Sequence, residues 1–600
     1  MRRIFASCLV AVLAALVAGR SRAATADASD HPIAWTTQWN SVAFEVAARE
    51  HRYVLLDLHA VWCHWCHVMD AETYTDAAVR ALIAEHYVAV SVDADADPGL
   101  TSRYGDWGWP ATVVLAPDGT EIVKRRGFIP ARQMASLLQA IVDDPTPGPS
   151  VSNAAVTATT GAEHLASQTR DGLERTYVEL YDAEHGGWGS IHKFMDAAAI
   201  ELAFEMGDFG DAASTLRARQ TLDANLNLID PVWGGVYQYS DEVDWRSPHF
   251  EKLIEFQADD LRLYSEAYAR WGEPSYRAAA AAIRRYMTDV LLAPGGAFFV
   301  SQDADLSVEH PGKAYYALDD AGRRALGVPR VDTHVYAREN GWAIRALCRF
   351  YDATGDDAAL SQAARAADWV LAHRAREGGG FRHDEADRGG PFLADSVAMG
   401  EAFMALYRST GDRRWLAHAE LTLAFLTQHL RSRGAGFISS PAPPQARGVF
   451  RNPVRAIDQN VAIARLSNLV YRYTAKQQYH QMALHAMKLL ATIPADNGQL
   501  HADVLLADRE LAAAPTHITV VGAKSDLAAQ GLHAAALKAP ATYLQVDWWD
   551  RAEGPLPNPA IEYPVLPVAA AFACSENACS FPVYEPSQVS AAVLASRNAD

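Results

Sequence analysis

Cysteine is scarce in this chain: six residues in 600, too few for a small scaffold held by disulfides. Basic residues are outnumbered, 53 Lys and Arg against 72 Asp and Glu, and no Lys/Arg-rich block interrupts the chain. A net charge of −19 repels phosphate backbones and anionic membrane surfaces, so nucleic acid is excluded as a partner. Long apolar runs are lacking too. The run at residues 4–18 is shorter than the ~20 residues of a spanning helix, and no later segment qualifies. It follows Arg2-Arg3 and ends in Gly19-Arg20-Ser21-Arg22-Ala23, so residues 1–23 read as an export signal cleaved after Ala23. Arg2-Arg3-Ile4-Phe5 also fits part of a twin-arginine signal. Cleavage removes Cys8 and four arginines, and the expected mature protein is periplasmic or secreted, without a membrane span.

What is present points to several folded units. Apolar residues make up 50% of the chain and charged residues 21%, a globular balance. Residues 31–143 alternate strand-like runs (54–58, 87–93, 112–116 and 121–123) with a helix-like stretch at 66–86, which predicts a compact α/β domain. Asp144-Pro145-Thr146-Pro147-Gly148-Pro149-Ser150 opens a linker over 144–160. From 161 to 500, Ala/Leu/Arg/Tyr-rich helices alternate with a glycine-aromatic signal, at Gly186-Gly187-Trp188, Gly234-Gly235-Val236-Tyr237, Gly295-Gly296-Ala297-Phe298, Gly379-Gly380-Phe381 and Gly434-Ala435-Gly436-Phe437. Glycines that end helices, with an aromatic packed beneath each turn, predict a toroid of paired helices, an (α/α) barrel. Residues 517–522 and 542–546 read as strands, so 501–600 is expected to form a small α/β appendage.

The most informative stretch is Trp62-Cys63-His64-Trp65-Cys66-His67. At a strand-to-helix junction the first sulfur sits at a helix N-terminus, where free amides and the helix dipole favour a thiolate. Cys63 is then the expected nucleophile, and Cys66 resolves the mixed disulfide. Asp57, at the end of the preceding strand, is placed to relay the Cys66 proton, and burial would raise its pKa. In Gly108-Trp109-Pro110-Ala111-Thr112, Pro110 is expected to be cis and to shape a substrate groove along Trp109. His64, Trp65, His67 and Trp109 are the candidate modulators of the pair. Three other readings compete: c-type haem attachment, since Cys63-x-x-Cys66-His67 spells that sequence, zinc binding, and a stable structural disulfide.

Asp57, Trp62-Cys63-x-x-Cys66 and Gly108-x-Pro110 resemble thioredoxin-fold proteins. More specifically, residues 63–69, Val92-Asp93 and Gly108-Trp109-Pro110 resemble the spermatogenesis-associated protein 20-like family. The resemblance continues through Pro248-His249-Phe250-Glu251-Lys252-Leu253, Gln302-Asp303-Ala304-Asp305, Asn340-Gly341-Trp342 and Cys574-Ser575-Glu576-Asn577-Ala578-Cys579. It implies a thioredoxin-like domain joined to a six-hairpin glycosidase-like toroid.

Within the toroid, His249, Glu251, Lys252, Asp259, Asp260, Asp303 and Asp305 are the candidate ligand residues of a concave mouth. Paired carboxylates near a histidine suit acid/base work on a sugar. Helix capping and core packing explain the same residue types without a ligand. Cys574 and Cys579 are expected to close a small structural disulfide loop, and Cys348 to be a buried thiol. No cofactor and no metal are expected. The reading is thiol–disulfide exchange with protein thiols or disulfides, the toroid binding a partner or a carbohydrate. A carbohydrate-active toroid with an accessory dithiol domain and a non-catalytic binding protein are the alternatives.

Overall fold

The computed structural model describes residues 32–151, 161–307, 309–575 and 579–597. The export signal expected at 1–23 lies outside the described residues, as does the 152–160 stretch of the linker.

The first unit runs α1 (Ser41–Glu50), β1 (Tyr53–His59), α2 (His64–Val68), α3 (Ala77–His86), β2 (Tyr87–Asp93), α4 (Pro98–Tyr104), β3 (Ala111–Leu115), β4 (Glu121–Arg126) and α5 (Ala131–Asp143). The sheet order is β2-β1-β3-β4, with β1 parallel to β2 and β3 antiparallel to both β1 and β4. This is the thioredoxin arrangement. Side chains of β1 alternate between two cores: Leu55 joins residues of α3 and α5, while Val54, Leu56 and Leu58 join those of α1 and α4. Both faces being covered, the strand reads as a nearly continuous apolar run.

The helix expected over 66–86 is broken. A π-helical turn, Met69–Thr73, follows α2. Asp76 then starts α3 afresh, its carboxylate accepting from Ala78 N and Val79 N at 2.9 and 3.1 Å. Apolar spacing hid the break because Met69, Val79 and Ile83 all reach the same core.

Behind the linker come α6 (Ser167–Glu179), α7 (Ala197–Asp208), α8 (Ala212–Asn225), α9 (Ile254–Trp271) and α10 (Pro274–Asp289). Two short helices follow, α11 (Gly312–Tyr316) and α12 (Asp320–Leu326). Then come α13 (Ala337–Thr354), α14 (Asp357–His373), α15 (Leu393–Thr410), α16 (Arg413–His429), α17 (Ile457–Thr474), α18 (Gln477–Leu490) and α19 (Ala502–Ala512). Helices α7, α9, α13, α15, α17 and α19 pack each against the next, and α19 returns to α7, closing an inner ring. Helices α8, α10, α14, α16 and α18 each pack outside the inner helix before them, and α6 packs outside α19. The toroid therefore ends at Ala512 rather than at residue 500: the first helix of the appendage expected at 501–600 is the last stave of the ring.

Each glycine-aromatic signal is the turn from an outer helix to the next inner one. All five close with an isolated β-bridge: Tyr181↔Trp188, Ile229↔Val236, Leu292↔Phe298, Ala375↔Phe381 and Arg431↔Phe437. Inner helices hook three of these turns by side-chain amides. Asn340 Oδ1 accepts from Phe298 N at 2.7 Å while its Nδ2 donates to Phe298 O at 3.1 Å. Asn460 does the same for Phe437, and Gln257 for Val236. Buried backbone groups at the bridge ends are thus satisfied.

Short strands furnish one end of the ring. β5 (Tyr239–Ser240) pairs with β6 (Pro248–His249), and β8 (Ser301–Gln302) lies between β7 (Lys252–Leu253) and β9 (Val331–Asp332). The last unit holds β10 (Thr516–Val521), α20 (Leu527–Leu537), β11 (Leu544–Trp549), β12 (Ala570–Cys574) and α21 (Val589–Arg597). Its order β11-β10-β12, one parallel and one antiparallel pair, repeats the centre of the first sheet. Among the described residues no helix is long and apolar enough to cross a membrane.

Candidate functional site at the dithiol and the toroid mouth

Cys63 is the N-cap of α2, and its Sγ accepts from Cys66 N at 3.2 Å. The two sulfurs are joined as a disulfide. Asp57, on β1, is fully buried and accepts from Tyr74 Oη at 3.0 Å and Ser91 Oγ at 3.4 Å. Burial raises its carboxyl to about 7, so it exchanges protons near neutrality. The Trp109–Pro110 bond is cis, and Trp109 packs against the cluster containing Cys63 and Cys66. Trp65 is exposed and stacks on Phe128.

A sulfur that attacks a substrate is expected to lie open at the surface, and here the toroid covers it. Cys63 is 4% and Cys66 3% exposed, because Leu253 and Phe256 of the toroid pack over Trp62 and the two cysteines. The covering segment follows from strand alternation in 248–253. Phe250 stacks on Tyr316, and the Lys252 ammonium is buried 2.7 Å from Asp230 and over the Tyr237, Tyr286 and Tyr316 rings. Glu251 and Leu253 therefore face the other way, toward α2.

Glu251 Oε1 accepts from the His64 backbone N at 3.2 Å. His64 Nδ1 lies 2.6 Å from Asp305 Oδ2, so the ring is committed to the toroid rather than to Cys63. That hydrogen bond raises the His64 pKa against the cost of burial. Asp305 also accepts from Gly312 N at 2.6 Å, and the His64 bond helps lower its pKa although burial opposes it. His67 Nε2 bonds Val61 O at 3.1 Å and stands 3.8 Å from Asp303 Oδ2. Burial raises Asp303. His249 Nε2 meets Asp241 at 2.9 Å, with Tyr239 stacked on its ring.

Of the toroid residues singled out in the sequence, His249, Glu251, Asp303 and Asp305 gather at α2. The other three do not. Lys252 is a structural cation in an aromatic cage, lowered to about 8 by burial. Asp260 faces α8, bonded to Asn225 Nδ2 at 2.7 Å, because it is one position round the helix from the lumen side. Asp259 pairs with Arg262 at 3.2 Å inside the ring. There Arg262, Arg345 and Arg465 converge on Glu201.

Several residues were missed. Glu255, Glu339, Asp395, Asp458 and Asp503 each stand in the first turn of an inner helix. Aligning the inner helices by their starts would have shown this recurrence. Glu339 and Asp395 face Asp95 of the first unit across His383, whose Nδ1 meets Asp395 at 2.9 Å and whose Nε2 meets Asp95 O at 2.7 Å. Asp395 pushes His383 up to about 9 despite burial, so it is an imidazolium at neutral pH. Trp62 Nε1 donates to Asp95 Oδ2 at 2.7 Å, tying the dithiol turn to the same seam.

No metal was expected. His67, Asp303 and Asp305, and separately Glu339, His383 and Asp395, each bring ligand atoms within 4.8 Å of one another. The second group is already charge-matched, His383 with Asp395 and Arg338 with Glu339. Elsewhere, Cys574 and Cys579 are joined as a disulfide and Cys348 is a buried thiol. Residues 576–578 of that loop lie outside the described residues.

Residues 17–143 match a family described as a protein of unknown function, DUF255, of the thioredoxin DsbH type. Residues 333–496 match the beta-L-arabinofuranosidase GH127 catalytic domain. Over 325 residues the chain is 27% identical to spermatogenesis-associated protein 20 of Mus musculus, covering 48% of this chain and 41% of that protein. The match thus spans less than half of that relative. Over 104 residues it is 36% identical to the thiol:disulfide interchange protein DsbD of Ralstonia nicotianae, 16% of this chain and 17% of that protein. Among solved structures it is similar to cellobiose 2-epimerase from Bacillus thermoamylovorans, with TM-score 0.44 and 11% identity over 57% of this chain and 97% of that one.

Proposed function

We propose that this relative of the spermatogenesis-associated protein 20 family is an exported thiol–disulfide oxidoreductase whose dithiol works at the mouth of a helical toroid. One observation carries the reading: Cys63 caps α2 with its sulfur on the Cys66 amide, bonded to Cys66, beside a sheet that buries an aspartic acid titrating near 7. In the reduced protein, once Leu253 and Phe256 of the toroid are drawn off the dithiol, the Cys63 thiolate attacks a substrate disulfide, forming a mixed disulfide and releasing one substrate thiolate. Asp57 takes the Cys66 proton. The Cys66 thiolate then attacks Cys63 Sγ, re-forming Cys63–Cys66 and releasing the second substrate thiolate. Two electrons pass from the dithiol to the substrate. The likeness to DsbD and the thioredoxin-type family match support protein thiols or disulfides as partners. The N-terminal apolar segment supports export, and N-terminal sequencing of the mature protein tests it.

Insulin reduction driven by dithiothreitol tests the exchange. Cys63→Ser is expected to fall to the uncatalysed rate, and equal rates for parent and variant overturn the reading. A carbohydrate-active toroid is the second reading, supported by the GH127 match and by carboxylates in the first turns of the inner helices. Activity on a sugar panel lost in Glu255→Gln and kept in Cys63→Ser would favour it.

A further inference from the structure

Around α2 three imidazoles face carboxylates. His64 pairs with Asp305 at 2.6 Å, His249 with Asp241 at 2.9 Å, and His67 faces Asp303 at 3.8 Å. Glu251 has only a share of His249, which Asp241 already bonds. It is 3% exposed, and its Oε2 is buried without a hydrogen-bond partner. His249 Nδ1 stands 3.6 Å from that oxygen, at ion-pair distance. Its other oxygen occupies the His64 amide, the first free N–H of the helix that Cys63 caps.

A helix N-terminus ordinarily favours a cysteine thiolate through its unpaired amides and dipole. Here a carboxylate already uses one of those amides, that of the residue after Cys63, and brings a like charge to the same helix end in a water-poor seam. Both effects disfavour a second anion. The His64 charge is balanced by Asp305, and the His249 charge is divided between Asp241 and Glu251, so neither offsets them in full.

We infer that the toroid sets the reactivity of the dithiol through Glu251, a positioning residue that disfavours the Cys63 thiolate and keeps the pair reducing while the two units are docked. This rests on the proposed exchange chemistry. Holding the thiol protonated weakens the reduced state, because part of the helix stabilisation of the thiolate is lost. The equilibrium with a glutathione couple then shifts toward Cys63–Cys66 and reduced glutathione. In that exchange, two glutathione thiols and one Cys63–Cys66 bond interconvert with one glutathione disulfide and two cysteine thiols.

The test uses the full chain. Thiolate absorbance is titrated against pH, with Cys63→Ser subtracted, and the equilibrium with glutathione is measured in parent, Glu251→Gln and Glu251→Asp. In the parent, Cys63 is expected to titrate at or above the ~8.5 of a free cysteine. Glu251→Gln keeps an acceptor for His64 N and removes the charge. Its Cys63 pKa should fall by about one unit, and its glutathione equilibrium should move about tenfold toward the dithiol, roughly 30 mV. Glu251→Asp keeps the charge and should stay close to the parent. A parent Cys63 pKa below ~7, or equal shifts in the Gln and Asp variants, overturns the inference, the second result showing a merely structural role. A parent that does not equilibrate with glutathione at all overturns the exchange chemistry itself, whereas a parent that does so with an unshifted Glu251→Gln overturns only the role of Glu251.

Discussion

In the proposed exchange Asp57 relays the Cys66 proton, and its burial has a stability cost with a definite sign. An aspartate at 3.8 in the unfolded chain and about 7 in the fold leaves the folded state holding one extra proton between those values. Stability therefore falls as pH rises through that window. Asp57→Asn is expected to be more stable than the parent above pH 7, by up to about 4 kcal/mol, and no more stable near pH 3, as urea titrations at the two pH values would show. The same variant should slow insulin reduction by roughly 10²-fold and lose the inflection near neutrality; a rate profile unchanged from the parent would remove Asp57 from the relay. Asp57, Cys63, Cys66 and Pro110 were legible in the sequence because they lie within one strand, one turn and one loop. Glu251 was picked out for another reason, as a mouth carboxylate, and its contact with His64 was not legible. The two are 187 residues apart, and only the packing of one unit on the other joins them.

Helix by helix, the ring depends on how inner helices hold the turns. Asn340 serves both polar groups of Phe298 and donates to Tyr336 O at 2.8 Å. Asn340→Leu would strand buried backbone groups and is expected to cost about 2–4 kcal/mol, read as a lower midpoint in denaturant with an unchanged slope. A loss below ~0.5 kcal/mol would show that the hook is dispensable. The turns themselves were readable, since a glycine pair followed by an aromatic is a local signal. Helix α19 was harder to place. Gly498 precedes it with no aromatic to follow, so nothing local marks the passage from outer to inner helix, and only its packing on α7, α17 and α6 assigns it. The break at Thr73–Asp76 was hidden for the opposite reason: the apolar pattern continues across it.

For the molecule as a whole, the seam between the dithiol unit and the toroid is rich in acids that prefer to be neutral. Burial raises Asp93 to about 7 and Asp95 to about 6 on the side of the dithiol unit. Glu339, Asp332, Asp395, Arg338, His334 and His383 face them. Ionising the raised acids above neutrality works against docking. His383, raised to about 9, contributes below its unfolded pKa and loses its contribution as pH climbs through 9, so both effects have one sign. The rate at which a phosphine reduces Cys63–Cys66, followed by mass spectrometry, is expected to rise about tenfold or more from pH 5.5 to 8.5, with Asp93→Asn flattening the profile. A rate independent of pH would count against an acid-held seam. The order of the units was legible from composition alone, while the burial of the dithiol was not, because chain order does not say which end of a ring a neighbour covers. The ring closure has a practical corollary. Its first helix, α6, sits on its last, α19, so the two ends of the toroid meet as the hoop of a barrel is riveted. A fragment cut at the boundaries of the GH127 match, 333–496, would hold three of the six inner staves and leave their flanks wet. A self-standing toroid has to start ahead of Ser167 and run beyond Ala512.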